Sequence, residues 1–359
     1  MNTDWTGTPD AARFWQPLLE WYAHNGRTLP WRGLKDPYAV WVSEIILQQT
    51  RIDQGTAYWQ RFMEQYPTVD RLASASEDEV LRLWQGLGYY SRARNLHRAA
   101  QQVVQWGGFP ETAREIVRLK GVGTYTAAAI ASMVFGQDEA AIDGNAYRVL
   151  SRHFGITTPI DSTQGKREFQ QLATALLPEG KAGDFNQAMM DLGAMVCTPH
   201  SPQCGDCPLG SSCEARRTGV QQSLPVKARN TAVKERHMRC VCIRCNGETA
   251  ICRRSAGDIW QGLWQPLVVE DEGEWKAFLG KLGEDSVLHT LNTGVRHVLT
   301  HRIITADFYV LDTGRKPDLP SGYIWIPRKQ LDDHALPRLF ERLFDEAEQN
   351  VQDAATDSR

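Results

Sequence analysis

Two carboxylates stand in contrasting sequence surroundings. Glu44 lies in YAVWVSEIILQQT. A helical period places three apolar residues on its face: Val40, Trp41 and Leu47. Burial makes such a carboxyl costly to ionise, so we expect it to hold a proton near neutral pH. Asp143 lies immediately before the predicted helix GNAYRVLSRHF, whose first amides favour the ionised form.

A carboxyl that keeps its proton, paired with one that stays charged, is suited to one chemistry in particular. The pair can cleave a glycosidic bond through an oxocarbenium-like transition state. The alternatives are ordinary: Glu44 would be a solvated surface residue on a helix of different phase, and Asp143 would only cap its helix.

Four cysteines fall within 17 residues of a proline- and glycine-rich loop: Cys197, Cys204, Cys207 and Cys213. The spacing C-x6-C-x2-C-x5-C lets four thiolates converge on one centre, either an iron–sulfur cluster or zinc. Zinc sites usually pair cysteines as two C-x2-C knuckles, and this loop has one. The spacing therefore favours one [4Fe-4S] cluster. Its role would be structural or redox, because no open ligand position is left for catalysis.

A second group of four cysteines is predicted to be structural: Cys240, Cys242, Cys245 and Cys252. They lie on the two arms of a predicted β-hairpin. Cys240 and Cys242 share one strand face and are interpreted as small buried apolar residues. We expect no metal there.

A glycine-rich turn, Gly121-Val122-Gly123, joins two predicted helices. Consecutive amides and a helix N-terminus can hold a phosphate there without a basic side chain, as in a helix-hairpin-helix. A plain interhelical turn is the alternative. Residues 80–110 support the DNA interpretation because they contain no acid and four arginines: Arg82, Arg92, Arg94 and Arg98.

The elements that position these residues divide the chain in two. Its 359 residues suggest two domains. Helical spacing with caps predicts an all-α half over residues 1–214, in which Asp36-Pro37 opens the Glu44 helix. The helices are predicted at 10–25, 38–49, 53–65, 77–84, 91–105, 112–118, 124–135, 144–154, 165–177 and 184–196.

The second half changes its period. Residues 215–236 are basic and lack apolar periodicity, which predicts a linker. Residues 237–345 alternate, with a hairpin at Asn246-Gly247 and a second β pair over 293–303 and 304–312, so we expect a smaller α+β domain. The acidic segment 346–359 is predicted to be a flexible tail.

Composition excludes several protein classes. Hydrophobic residues at 42% and charged residues at 23% are ordinary for globular chains, which argues against disorder and a membrane partner. The start MNTDWTGTPDAARF lacks a signal-peptide pattern, so a cytoplasmic location is expected, near the nucleoid in a bacterium. The net charge of -3 means that any DNA-binding charge must be local.

Seven motifs together resemble the MutY-type adenine DNA glycosylases of the helix-hairpin-helix superfamily: LPWR, VWVSEIILQQT, GLGYYSRARNLH, LKGVGTYTAAAI, IDGNAYRVLSR, NQAMMDLGAMVC and the cysteine loop. The resemblance implies a six-helix barrel and a cluster module, with double-stranded DNA between them. It also implies that a monomer flips out adenine mispaired with 8-oxoguanine or guanine and excises it in base excision repair.

The resemblance also implies roles for individual residues. Glu44 would protonate the departing adenine, and Asp143 would stabilise the sugar cation or activate water. Tyr125 and Asn145 would hold the site. Relatives that nick DNA through a Schiff base place a lysine where Tyr125 stands, so a monofunctional glycosylase is expected. Two lysines do not match that position: Lys120 and Lys166.

Two binding sets follow from the same resemblance. The adenine pocket would be lined by Arg27, Trp31, Leu47 and Gln187. The oxidised guanine and the distorted duplex would meet Gln49, Thr50, Leu87 and Tyr89. Gln49 and Tyr89 would be wedges in the base stack. Alternatively, Gln49 is a solvated amide and Tyr89 a core residue.

The second domain resembles a Nudix fold through its W-x-G-L-W motif, GDIWQGLWQP. The glutamate-rich metal helix of Nudix hydrolases does not follow it, so recognition rather than hydrolysis is implied. Where relatives carry Phe-Ser-His, this chain has Leu299, Thr300 and His301. Loss of the Phe removes an aromatic contact to the lesion.

The resemblance leaves two rivals open. One is an endonuclease III-like bifunctional glycosylase and lyase, against which Tyr125 argues. The other is a non-catalytic iron–sulfur protein that binds DNA or transfers electrons. The expected fold is multidomain: an all-α helix-hairpin-helix glycosylase domain with a cluster loop, followed by an α+β Nudix-like domain.

Overall fold

The computed structural model describes residues 11–228 and 233–356. The chain divides into two compact units. The helical unit comprises Met1–Ser74 and Asn95–Asn230, and the sheet unit comprises Ala75–Arg94 and Thr231–Arg359. A stretch from the predicted helical half, Ala75–Arg94, therefore packs with the C-terminal residues.

Helices dominate the first part of the chain, as predicted, and their bounds follow the predicted segments closely. They are α1 (Ala12–Asn25), α2 (Pro37–Ile46), α3 (Ile52–Gln65), α4 (Val69–Ser74), α5 (Glu77–Leu83), α6 (Ser91–Trp106), α7 (Ala113–Ile116), α8 (Thr124–Phe135), α9 (Gly144–Phe154), α10 (Thr163–Leu176), α11 (Ala182–Met195) and α12 (Glu214–Thr218). The short helices α4 and α12 were not predicted from the sequence.

Local signals explain where α2 begins and ends. The Asp36 side chain accepts a hydrogen bond from the Tyr38 amide at 2.9 Å, and Pro37 takes the first helical position. The helix ends at Ile46, three residues before the predicted end at 49, because Gln49 adopts a left-handed backbone with φ of 63°. Within α2, every residue from Tyr38 to Ile46 is buried.

The predicted linker over 215–236 is wrong for most of its length. Residues 214–218 form α12, the side chain of Leu224 is buried, and the Ile160 amide donates to the Val226 carbonyl at 3.0 Å. This segment packs on the helical unit through a few long-range contacts that periodicity does not detect. Residues 229–232 lie outside the described residues.

The second unit carries a mixed sheet. Its elements are β1 (Lys234–Cys245), β2 (Glu248–Arg253), β3 (Trp264–Gln265), β4 (Leu267–Val269), α13 (Glu272–Leu279), β5 (Ser286–Leu299), β6 (Arg302–Thr313), β7 (Tyr323–Pro327) and α14 (Arg338–Thr356). The strand order is β3-β2-β1-β6-β5, with β4 paired to β1 and β7 to β2. Strands β1 and β6 run parallel, and β5 and β6 run antiparallel.

The predicted hairpins are both present. Asn246 and Gly247 have φ values of 49° and 82°, as a type I′ turn requires. The second pair turns at Thr300 and His301, three residues earlier than the predicted break, because β6 starts at Arg302.

The predicted flexible tail is wrong in its starting point. Helix α14 continues to Thr356, and Ala347 is still buried against the sheet. Apolar residues at three- and four-residue spacing anchor the helix: Leu339, Phe340, Leu343, Phe344 and Ala347. The acidic residues on the opposite face of the helix made this apolar stripe hard to detect in the sequence. Residues 357–359 lie outside the described residues.

Three members of the second cysteine group are buried, as predicted for Cys240 and Cys242. Cys240 and Cys242 lie in the core between the sheet and α14, and Cys245 is buried too. Burial raises the pKa of Cys242 to about 12, so it remains a neutral thiol. None of the helices in the described part of the chain is long and apolar enough to cross a membrane.

Candidate active site

A cavity of about 910 Å³ opens in the helical unit. It gathers all eight residues predicted for the catalytic site and the adenine pocket, together with two predicted for the lesion: Arg27, Trp31, Glu44, Leu47, Gln49, Thr50, Tyr125, Asp143, Asn145 and Gln187. These side chains come from the loop after α1, from α2 and the turn that follows it, from α8, from the start of α9 and its N-cap, and from α11, so only the folded chain brings them together.

Glu44 is buried and its pKa is raised, as predicted. Only 8% of the residue is exposed, and burial raises the pKa of its carboxyl to about 7. The negative charge of Asp143 acts in the same direction, whereas the Tyr125 hydroxyl, which donates to Glu44 Oε2 at 2.9 Å, opposes it. A proton is therefore available on Glu44 near neutral pH.

Asp143 caps α9 and also faces the cavity. Its Oδ1 accepts from the Ala146 amide at 2.7 Å, and its Oδ2 accepts from Asn145 Nδ2 at 2.7 Å. The helix-terminal amides favour the ionised form, as expected, but the sequence did not reveal the burial of this carboxyl. Burial raises the pKa of Asp143 above its ordinary value, although these hydrogen bonds pull in the other direction. The two carboxyls differ in their hydrogen bonds. Asp143 accepts from a backbone amide and a side-chain amide, whereas Glu44 accepts from the Tyr125 hydroxyl.

Tyr125 lies beside the Glu44 carboxyl. Burial and the neighbouring carboxyls raise the pKa of its phenol well above the usual value, so it stays a hydrogen-bond donor. Its hydroxyl is also 3.8 Å from the Met190 sulfur. Lysines that line the cavity are Lys35 and Lys181, neither of which was singled out from the sequence.

A buried carboxylate on α11 organises the loop that carries Arg27 and Trp31. Asp191 is fully buried and accepts from the backbone amide and Nε of Arg27, both at 2.8 Å. Two more bonds, each of 2.7 Å, come from Arg32. Arg27 thus lines the cavity, and Asp191 holds its guanidinium in place. Asp191 and Arg32 were missed, although Asp191 follows Gln187 by one helical turn.

Arg148 was also missed. Its Nη2 donates to Asn145 Oδ1 and to the Gly193 carbonyl, and its Nε donates to the Cys197 carbonyl, all at 2.7 Å. Helix α11 comes so close at Gly193 that an added Cβ would lie 2.5 Å from the Asn145 Cβ. Asn145 and Asp143 are therefore fixed on one side by packing and on the other by a guanidinium.

The cysteine loop forms a second, small void of about 30 Å³ in the same unit, lined by all four predicted ligands: Cys197, Cys204, Cys207 and Cys213. Burial raises the pKa of Cys207 to about 11, and the other three cysteines add to the rise. Arg152 donates to Cys197 Sγ at 3.4 Å. Residues 11–228 and 233–356 contain no group of three or more His, Cys, Asp or Glu side chains arranged to hold a metal ion.

The glycine turn has a left-handed glycine and leaves the next helix without a side-chain cap from the residues that the structure describes. Gly121 has φ of 77°, and a Cβ there would collide with Asn95. Helix α8 starts after Gly123, and among the described residues no side chain caps its first amides. These amides remain suited to an external anion.

Backbone strain marks the two predicted wedge residues. In the described chain, non-glycine residues with positive φ are Gln49, Tyr89, Asn246 and Trp260. Strain of this kind concentrates at functional sites. In the sheet unit the Tyr89 hydroxyl is hydrogen-bonded to the Thr300 hydroxyl, so two predicted lesion residues meet. In the helical unit the buried Thr50 Oγ1 has no hydrogen-bond partner among the described residues.

The arginines of residues 80–98 are not a simple DNA-facing stripe. Arg82 pairs with Asp333 at 3.4 Å, and Arg94 donates to the Gln261 carbonyl. Arg92 is half-buried beside Trp84, and burial lowers its pKa to about 10. Three of the four guanidinium groups therefore serve contacts inside the sheet unit, which sequence distance concealed.

Two family models and several known proteins match this chain. Residues 42–178 match the HhH-GPD superfamily base excision DNA repair protein family, and residues 239–346 match the NUDIX domain. The adenine DNA glycosylase of Buchnera aphidicola subsp. Schizaphis graminum is 33% identical over 254 residues, covering 70% of this chain and 73% of that protein. Human adenine DNA glycosylase is 46% identical over 218 residues, 58% of this chain and 40% of the human protein.

Solved structures share the helical fold. A thermostable thymine-DNA glycosylase aligns with a TM-score of 0.54 at 29% identity, covering 58% of this chain and 97% of its own. A trapped endonuclease III–DNA covalent intermediate aligns with a TM-score of 0.51 at 21% identity, covering 59% and 99%, and shows the fold alone.

The fold and the site define a base excision repair protein of the helix-hairpin-helix superfamily. Within that superfamily, the chain belongs to the adenine DNA glycosylase family. The chain spans about two fifths of the length of the human, mouse and rat relatives.

Proposed function

We propose that this protein is a monofunctional DNA glycosylase that flips adenine out of mispairs with 8-oxoguanine or guanine and removes it by hydrolysis. The observation that carries the proposal is the buried Glu44 carboxyl, whose pKa of about 7 and Tyr125 hydrogen bond place a held proton at the wall of the cavity. A bound purine that is to depart needs such a proton.

Glu44 and Asp143 have different roles in breaking the N-glycosidic bond. Glu44 gives its proton to the five-membered ring of adenine, which leaves as a neutral base. Asp143 faces the sugar cation that develops and either stabilises it or receives a proton from the attacking water. Because Asn145 holds Asp143 Oδ2 at 2.7 Å, the carboxylate is oriented before the substrate arrives.

The adenine site combines flat and polar groups. Trp31 and Leu47 offer surfaces for a flipped base, and Arg27 and Gln187 offer edge hydrogen bonds. Asp191 leaves Arg27 with Nη1 and part of Nη2 for a ligand. The Gly121–Gly123 turn would hold a phosphate of the duplex.

A lesion-reading role follows for the second set of residues. Gln49 and Thr50, and in the sheet unit Leu87, Tyr89, Leu299, Thr300 and His301, are proposed to meet the 8-oxoguanine and its flanking stack. The strained backbone of Gln49 and Tyr89 supports this role.

Tyr125 argues against the endonuclease III-like alternative. A phenol cannot form the imine that leads to strand cleavage. Lys35 and Lys181 line the cavity, but Tyr125, not a lysine, lies beside the Glu44 carboxyl.

The test of the function is incubation with duplexes that carry A:8-oxoG, A:G or thymine glycol, each with and without alkali. We expect adenine release from the first two duplexes and strand breaks only after alkali. Breaks without alkali would show a lyase, and cleavage of thymine glycol alone would favour the endonuclease III-like alternative. No base release from any duplex would leave a DNA-binding protein without catalysis.

We also propose that the cysteine loop holds one [4Fe-4S] cluster. The proposal is supported by the four cysteines, which line one void, and by the requirement of such a cluster for one thiolate at each iron. When bound, the cluster would supply structural support or electron transfer. Arg148 and Arg152 lie on α9 and donate hydrogen bonds to this loop, so the loop packs against α9.

The purified protein is expected to be brown, with a broad absorption near about 400 nm. Replacement of a ligand, Cys207→Ala, should remove the colour and most of the bound iron. The matched control is Cys242→Ala, a buried cysteine of the sheet core, which should keep both. A colourless protein that contains zinc would contradict the proposal.

A further inference from the structure

Segment Ala75–Arg94 is held by the sheet unit although its sequence neighbours on both sides belong to the helical unit. It contains α5 and the loop that ends at the strained Tyr89. The contacts that hold this segment therefore also place Tyr89.

Helix α5 packs on the turn Trp260–Leu263 of the W-x-G-L-W motif. Gly262 has φ of 82°, and a Cβ there would lie 3.3 Å from Glu77 Oε1 and 3.5 Å from Leu81 Cδ1. A side chain at this position would press on the helix, so glycine permits the close approach. The Arg94 guanidinium donates to the Gln261 carbonyl in the same turn.

Arg253 joins this turn to the helix. Its Nε donates to the Gly262 carbonyl at 3.0 Å, and its Nη2 lies 2.7 Å from Asp78 Oδ1 and 3.3 Å from Glu77 Oε1. Both acids lie in the first turn of α5, where the helix dipole favours negative charge. One guanidinium thus fixes the turn and the start of the helix together.

The other end of the segment reaches the lesion-reading loop. The Gln85 side chain donates to Glu341 on α14, and the Tyr89 hydroxyl bonds to the Thr300 hydroxyl. If α5 shifted on the Trp260–Leu263 turn, Tyr89 would shift with it, because contacts at both ends hold this short segment together.

We propose that Arg253 is a positioning residue for lesion recognition. By fixing α5 on the Trp260–Leu263 turn it sets the placement of Tyr89 against Thr300, and through that contact the preference for 8-oxoguanine over guanine opposite adenine. This inference rests on the proposed function. Its distinguishing property is selectivity: Arg253 acts on the ratio of two excision rates and does not touch the acid or the carboxylate at the bond that breaks.

The test uses the intact chain and single-turnover excision rates on A:8-oxoG and A:G duplexes. Arg253→Glu loses an ion pair and gains repulsion from Glu77 and Asp78, so the ratio of the two rates should fall about tenfold, mainly through the A:8-oxoG rate. Arg253→Lys should keep most of the ratio. The double variant Asp78→Lys with Arg253→Glu restores an opposite-charge pair and should recover a large part of it.

The matched control is Arg315→Glu in the same unit. It makes the same change in net charge at a side chain that is 91% exposed, and should leave the ratio unchanged. If Arg253→Glu has a lowered melting temperature, Arg253→Gln replaces it, with a loss of about threefold expected.

An unchanged ratio in Arg253→Glu would overturn the inference, and so would an equal fall of both rates, which would show a general effect on folding or catalysis. These outcomes differ from failure of the proposed function, in which the unmodified protein would release no adenine from either duplex.

Discussion

Glu44→Gln should abolish adenine release while leaving DNA binding almost intact. Gln keeps the shape of the side chain and can still meet the Tyr125 hydroxyl, but it has no proton to give. General acid catalysis contributes about 10²- to 10⁴-fold, and we expect a loss at the upper end because Glu44 is the proposed donor of the proton to the leaving base. The measurements are single-turnover excision and duplex affinity on the same preparation.

The pH dependence of the unmodified protein provides an independent check. The acid works in its protonated form, and burial raises the pKa of Glu44 to about 7. Excision by the free enzyme should therefore decline as pH rises through about 7. The rate of the Gln variant should lack this decline.

Stability should also depend on the Glu44 proton. The folded pKa of Glu44 lies above its unfolded value, so the contribution to folding is fully present below about pH 4.5 and is lost as pH rises through about 7. The shift corresponds to about 3 kcal/mol as an order of magnitude. Glu44→Gln avoids that loss, and its free energy of unfolding at pH 8 should exceed that of the unmodified protein.

The control for this variant is Glu64→Gln on the exposed face of α3, which should change neither excision nor its pH profile. Normal excision by Glu44→Gln would remove the assignment of Glu44 as the acid. Loss of excision together with loss of duplex binding would point instead to a binding role.

Asp143→Asn should reduce excision about 10²- to 10³-fold. Asn is as good an N-cap as Asp, so the Ala146 contact and the start of α9 should survive. What is lost is the negative charge that faces the sugar cation. Single-turnover rates at saturating protein, with the duplex affinity measured alongside, separate this loss from weaker binding.

A matched variant distinguishes this role from simple capping. Asp36→Asn makes the same change at the N-cap of α2, where the carboxylate accepts from the Tyr38 amide. Both variants should retain the melting temperature, and only Asp143→Asn should lose activity. Equal and small effects of the two would leave Asp143 as a cap and nothing more.

Local signals in the sequence were enough for most helices and for the burial of Glu44. The Asp36-Pro37 cap, the glycine stops and the apolar period each act within a few residues, and α8 and α9 have the predicted bounds. The raised pKa of Asp143 was not predicted, because the cap was visible in the sequence and the burial was not.

What the sequence did not reveal depends on contacts between distant residues. Arg148 meets the carbonyl of a residue 49 positions away, and Asp191 receives Arg27 across 164 positions. The ion pair of Arg253 with Asp78 crosses from one predicted domain to another. No periodicity or cap encodes such pairs, and the local charge of 82–98 suggested a DNA-facing stripe although three of its arginines make contacts within the protein.

The assignment of Ala75–Arg94 to the sheet unit changes what a domain deletion means. The chain passes between the units three times, near 74, 94 and 230, so a cut after residue 228 does not release an independent catalytic half. A shortened protein of that kind would leave Asp78 without Arg253 and Tyr89 without Thr300. Any loss of selectivity it showed would combine removal of the proposed lesion-reading residues of the sheet unit with release of Tyr89, and point variants in the intact chain are the way to separate the two effects.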